Sequence, residues 1–242
     1  MQIVYEVLSG SHAYGLATET ADEDIRGIFM PSDTDILGFG YWETIEQKPD
    51  KVYHSLRKFL NLALKANPSI LAWLWVRKDF VRIGSPLSYE LRANRERFLS
   101  KLVHKTFGGY ATSQLKKMEK SVGGDKGYAM HGERDATKDE ASCGVLFDCK
   151  NATHLVRLLY CGHSLLKYGF YPVYIEDEDW KKELWEIRKG ERTIEQVLRL
   201  SRGFFTLMDE AEKHTKLPDE PDKEWVTKFL VEQQRKVVIS RT

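Results

Sequence analysis

The sequence predicts an α+β protein: an N-terminal α/β module over residues 1–88, then an all-helical region over 89–242. Two observations carry this prediction. Runs rich in Val, Ile, Tyr and Phe that suit strands lie only in the first third of the chain. From about Pro86 onward, apolar residues recur at helical spacing in long segments separated by glycine or proline.

Residues 2–8 (QIVYEVL) read as the first strand, which Gly10-Ser11 ends. The following SHAYGLAT is short enough for a single helical turn with Ser11 near its start, and Thr18-Glu19-Thr20 reads as loop. A second strand runs from Asp22-Glu23-Asp24 through Ile25, Gly27, Ile28 and Phe29 to Pro31, followed by a polar loop. Lys51–His54 forms a third strand that enters a helix at Ser55, where Leu56, Phe59, Leu60, Ala63 and Leu64 mark one apolar face. Asn67-Pro68 stops that helix, because proline disfavours the helical conformation in the residue before it. SILAWLWV reads as a buried helix, and Asp79–Ile83 as a short strand. Helices are expected near 87–121, 146–168, 177–188, 193–214 and 222–237, with Gly169 and Gly190 at C-cap positions. The polar stretch 123–142 reads as a loop or lid, and LPDEPD (217–222) as a break.

Composition narrows the class of function. Across 242 residues the net charge is only +1, so no global field draws the chain to nucleic acid or to a membrane. Locally, residues 101–130 carry six Lys against two acids, which suits either a phosphate-rich partner or a solvated helix face. Cys143, Cys149 and Cys161 are odd in number and lack C-x-x-C spacing, which argues against a disulfide framework or a zinc site. The start lacks a basic leader, and no apolar run approaches the ~20 residues of a membrane span. A cytoplasmic setting without membrane attachment is the expectation.

The chemistry concentrates at residues 10–24. Asp22 and Asp24 stand at i and i+2, so on a strand they point to one face. Paired carboxylates offer the hard oxygen donors that Mg2+ takes, and Gly10 would let backbone approach a phosphate with no side chain between. The Ser11 hydroxyl adds a phosphate contact. Two metal ions call for a third carboxylate on a neighbouring strand. Asp50 is the first candidate, to hold metal and accept the acceptor's proton, with Glu46 and Glu43 as alternatives. Arg26 is a charge partner for the acids. In the helical region Lys150, His154 and Arg157 recur at i, i+4 and i+7 on one face, opposite Leu155, Leu158, Leu159 and Leu166. That stripe suits a triphosphate or RNA backbone, or else is a solvated face with His154 structural. Arg57 and Lys58 pose the same choice, and Gln114, Lys116 and Lys117 form a polar surface. Trp73, Trp75, Phe204 and Phe205 read as core, and Trp180, Trp185 and Trp225 as seals between helices.

Taken together, G-S-H-A-Y-G, D-E-D-I-R-G and D-x-x-x-x-S-L-R-K-F-L-x-L-A-L-K-x-N-P resemble the DNA polymerase beta-type nucleotidyltransferase superfamily. The match is to a stand-alone branch found in bacteria and large bacteriophages, known as predicted nucleotidyltransferases and partly associated with RNA repair. FGGYATSQLKKM (107–118), DCKNATHLVRLLYCG (148–162), RKGERTI (188–194) and LPDEP (217–221) fit as well, so the likeness covers most of the chain. Ala21 departs from the Ser that often precedes the acid pair, and Ala72-Trp73 from a glutamate often found after Asn-Pro. The resemblance implies a polymerase-beta-like module with a helical C-terminal domain. It implies Mg2+- or Mn2+-dependent transfer of NMP from an NTP to a hydroxyl acceptor, an RNA or tRNA 3′ end being preferred over a small molecule or protein. Asp22, Asp24 and Asp50 would hold metal; Gly10, Ser11, Lys150 and Arg157 would bind nucleotide. The competing class is a degenerate nucleotide-binding or antitoxin-like module.

Overall fold

The computed structural model describes residues 2–40, 42–120 and 147–239; the loop expected at 123–142, Cys143 and Lys126 of the basic strip lie outside them. The fold is α+β, a mixed five-stranded sheet with helices followed by a helical C-terminal region. The chain forms two compact units. The first comprises residues 1–102, 171–176 and 217–242, and the second 103–170 and 177–216.

The first unit is built on the sheet. Its strands are β1 (Gln2–Ser9), β2 (Asp24–Met30), β3 (Thr44–Gln47), β4 (Lys51–Ser55) and β5 (Val81–Ile83), in the order β3-β4-β2-β1-β5. All neighbours are antiparallel except β2 and β4, which run parallel with Ile25 beside Lys51 and Ile28 beside His54. Side-chain alternation divides the sheet into two faces. One buries Leu8, Ile25, Phe29 and Tyr53 against Ile3, Ile45 and Phe80. The other carries Tyr5, Val7 and Ser9 of β1 level with Ile28, Arg26 and Asp24 of β2, and Val52 and His54 of β4.

That second face meets α3 (Leu56–Leu64) and α4 (Pro68–Trp75). Ser55 caps α3 by accepting from Lys58 N at 3.2 Å. Asn67 caps α4 at its Ile70 N, with Pro68 at the first helical position where no N–H is needed. The Asn-Pro pair thus ends one helix and starts the next. Tyr5 donates its hydroxyl to Trp73 O at 2.6 Å and receives Arg92 Nη1 at 2.7 Å, pinning α4 to β1. Burial pushes the Tyr5 phenol up to about 12, against the lowering pull of the Arg92 guanidinium.

Three features differ from expectation. The polar loop after β2 contains α2 (Asp33–Leu37), closed by a Ser32–Asp35 capping box, and the edge strand β3. The helix expected over 87–121 is two helices, α5 (Pro86–Ala93) and α6 (Leu102–Lys120), with a 3-10 turn at Arg95–Phe98. Asn94 explains the break: its Nδ2 bonds back to Glu90 O at 3.0 Å, and Lys101 N is taken by Pro218 O at 2.9 Å. The last helix, α10 (Lys223–Ile239), belongs to the first unit, tied by Asp222 N to Arg97 O at 2.9 Å and by the edge-on packing of Trp225 against Phe98.

The second unit is all helical, with α7 (Cys149–Tyr168) packed against α8 (Glu178–Arg188) and α9 (Ile194–His214). Asp148 caps α7 at Asn151 N (2.9 Å), and Gly169 closes it in the left-handed conformation. At Gly162 a side chain would press on Phe107 and Met208, so the helices approach closely there. Among the described residues no helix is long and apolar enough to cross a membrane.

Candidate nucleotide site

The site begins where β1 ends. Ser9 pairs with Asp24 across the antiparallel ladder, so the next residue, Gly10, is held beside the Asp24 carboxylate. Gly10 has φ +64°, and a Cβ built there would collide with Asp24 Oδ2. Only glycine satisfies both demands at once. Ser11 follows in the first turn of α1 (Gly10–Tyr14), and His12 Nε2 lies 3.1 Å from Ala21 O, tying α1 to the segment before β2.

Asp24 is the first residue of β2. Its Oδ1 accepts from Arg26 Nη2 at 2.8 Å, the two side chains sharing a strand face at i and i+2. The expected partnership of Arg26 with the acids is therefore made through Asp24. Arg26 Nη1 also donates to Ile25 O (2.9 Å) and Asp50 O (2.6 Å). Asp50 contributes here through its backbone: its carbonyl takes both Arg26 and Ile25 N (3.0 Å), while its side chain is exposed in the β3–β4 turn with φ +46°.

Asp22 precedes the strand and is exposed, as are Glu43 and Glu46. Glu23, between the two aspartates, turns outward to Arg82 (2.6 Å), and this partner holds its carboxyl below the usual range. On the strand parallel to β2 the residues on the Asp24 face are Val52 and His54, not acids. Among the described residues no group of three or more His, Cys, Asp or Glu side chains is gathered for a metal ion. The donor chemistry nevertheless suits a hard divalent cation at one point, because Asp24 presents carboxylate oxygen beside a glycine that leaves the approach clear.

Asp24 opens onto a cleft of about 370 Å³, between the sheet and α3–α4. Gly10, Asp24 and Arg26 line its charged part, and His54, Ile70 and Trp73 its aromatic part. Sequence reading singled out the first group and missed His54; the only available signal was its alternation with Val52 on β4. Trp73 was assigned to the core, and at 3 % exposure it is buried while still forming the cleft's back wall.

The second unit holds the other predicted contacts. Lys150 is exposed at the start of α7, whereas Arg157 is only 2 % exposed, with Nη2 3.3 Å from His154 Nδ1. Burial, then the charges of Arg157, Lys117 and Lys150, pull the His154 imidazole down to about 3. The face expected to present Lys150, His154 and Arg157 together to solvent is thus closed at Arg157, because α7 is covered on several sides. Lys117 of α6, from the basic strip, joins the exposed end.

The uncharacterized protein YcgL of Bacillus subtilis (strain 168) is 34% identical to this chain over 85 residues. That stretch covers 31% of this chain and 30% of YcgL, so the match spans under a third of the relative's length. No solved structure matches the chain. The RlaP family, described as the RNA repair pathway DNA polymerase beta family, matches residues 1–232, and the chain belongs to it.

Proposed function

We propose that the protein is a divalent-metal-dependent nucleotidyltransferase that moves NMP from an NTP to a hydroxyl acceptor, the acceptor being an RNA 3′ end. One observation carries the reading: the glycine turn after β1 and the first acid of β2 meet so closely that no side chain fits between them. Membership of a DNA polymerase beta family assigned to RNA repair gives the reaction class and favours RNA.

Asp24, with Asp22 two residues before it, would hold Mg2+ or Mn2+, and Asp50 is the candidate for a third ligand. When bound, such a cation supplies Lewis-acid stabilisation of phosphate oxygens and lowers the acceptor hydroxyl's pKa. The chain's own residues do the rest. Gly10 and Ser11 seat the phosphates. Arg26, fixed by two backbone carbonyls, is positioned to take phosphate charge in place of the Asp24 carboxylate. Lys150 supplies an exposed cation for the acceptor backbone, and Arg157 supports the helix that carries it.

The test is incubation with each labelled NTP, Mg2+ or Mn2+, and RNA, scoring label transfer and pyrophosphate release. Wild type is expected to release pyrophosphate and Asp24→Asn to lose it. Release from neither would support the second reading, a non-catalytic nucleotide-binding module, which the lack of a three-acid cluster among the described residues favours.

A further inference from the structure

We infer that His54 is the seat for the nucleobase, so the cleft holds a nucleotide lengthwise, with its phosphates at Gly10 and Asp24 and its base on the imidazole. This rests on the nucleotidyltransferase reading and adds to it the residue that recognises the base.

His54 ends a stack of three rings. Phe59 and Trp73 lie 5.5 Å apart with planes inclined by 22°, and Trp73 and His54 lie 5.6 Å apart, inclined by 16°. The inner two are buried, at 0 % and 3 % exposure, while His54 is half-buried and lines the cleft. Trp73 cannot shift easily, since Tyr5 holds its carbonyl at 2.6 Å and Arg92 holds Tyr5. The stack is a rigid backing with a polar heterocycle at its cleft end.

The imidazole is also held in place by a polar chain. Lys58 Nζ donates to Thr44 Oγ1 at 2.6 Å, and Thr44 Oγ1 lies 3.1 Å from His54 Nδ1. An ammonium only donates, so the Thr44 oxygen accepts from Lys58 and keeps a second lone pair and its own proton as a partner for Nδ1. Burial and the nearby Lys58 and Arg26 charges pull the imidazole down to about 4, so the ring is neutral in ordinary buffers. A neutral, oriented ring suits stacking on a base without repelling its polar edge.

The spacing fits the same ligand. His54 is level with Ile28, four residues along β2 from Asp24, or about 13 Å at roughly 3.3 Å per residue. Arg26 lies between, on the same face. An extended nucleotide has this order, charged phosphates at one end and a planar base at the other, and a cleft of about 370 Å³ is of small-ligand size.

The experiment uses the full chain with Mg2+ and 2-aminopurine ribonucleoside triphosphate, whose fluorescence is quenched by stacking, alongside inorganic tripolyphosphate as a baseless probe. Wild type should quench the fluorophore. His54→Ala should lose the quench and bind the nucleotide about tenfold more weakly, the scale of one base–aromatic stack, with tripolyphosphate affinity unchanged. His54→Phe, which keeps an aromatic surface on Trp73, should stay within about threefold of wild type. An unchanged quench in His54→Ala, or an equal loss toward tripolyphosphate, would overturn the assignment. Should wild type take neither probe, the nucleotidyltransferase reading falls too; should wild type and His54→Ala bind and transfer alike, only the base seat falls.

Discussion

Two stretches carry equally regular charge patterns, Asp22/Asp24/Arg26 at the entry to β2 and Lys150/His154/Arg157 on α7, and the fold treats them differently. At the first, Asp24 and Arg26 share a face that opens into a cleft, both partly exposed at 36% and 26%. At the second, Arg157 is enclosed and His154 is kept neutral by burial, leaving Lys150 as the one exposed member of the three. Periodicity determines which side chains share a face. Whether that face meets solvent depends on what packs against it, and a central helix has little open face to offer.

The largest consequence of this contrast is chemical. Asp24→Asn should lower nucleotidyl transfer by on the order of 10²–10³-fold with little change in thermal unfolding, since only a partly exposed ion pair to Arg26 is lost. Retained transfer in that variant would remove the strand pair from the reaction. Arg157→Ala should do the opposite, destabilising the protein by about 2–3 kcal/mol in denaturant titration through lost packing, while the folded fraction binds NTP as wild type does. A pure affinity loss without destabilisation would instead return Arg157 to a ligand role.

His154 sharpens the same point through pH. Its folded value is lowered from 6.5 to about 3, so between those limits the unfolded chain binds the proton and the folded chain does not. Stability should therefore fall as pH drops through that window, by roughly 1 kcal/mol per pH unit, and His154→Gln should flatten the slope. The smallest effect belongs to Lys150→Ala, within about 0.5 kcal/mol in stability because the side chain is exposed. If Lys150 meets an RNA backbone, its loss should show as weaker, less salt-sensitive RNA binding.

Much of the fold was legible. β1, β2 and β4 followed from Val, Ile and Tyr runs, and the Asn67-Pro68 stop and the Gly169 cap are local chemistry that a sequence states directly. β3 was not legible, because an edge strand reading TIEQ needs no apolar alternation to pair on one side. The break at Asn94 and the return of α10 to the first unit depend on partners distant in the chain, Pro218 and Arg97, that no window contains. At the site, Gly10 and Asp24 were visible as a motif and Arg26 as a neighbour. His54 was not, because its place in the cleft follows from the parallel pairing of β4 with β2 and from Trp73 behind it. The turn that carries Asp50 turned its carbonyl, rather than its side chain, into the hydrogen-bond partner of Arg26.

The central claim is that the corner formed by Gly10 and Asp24 is where a divalent cation and the nucleotide's phosphates meet. Mn2+ titration followed by electron paramagnetic resonance, with ATP present, tests it directly in wild type, Asp24→Asn and Gly10→Ala. The account predicts protein-dependent Mn2+ uptake in wild type that both variants lose, the second because a side chain there displaces the Asp24 carboxylate. Equal uptake by all three proteins would contradict it.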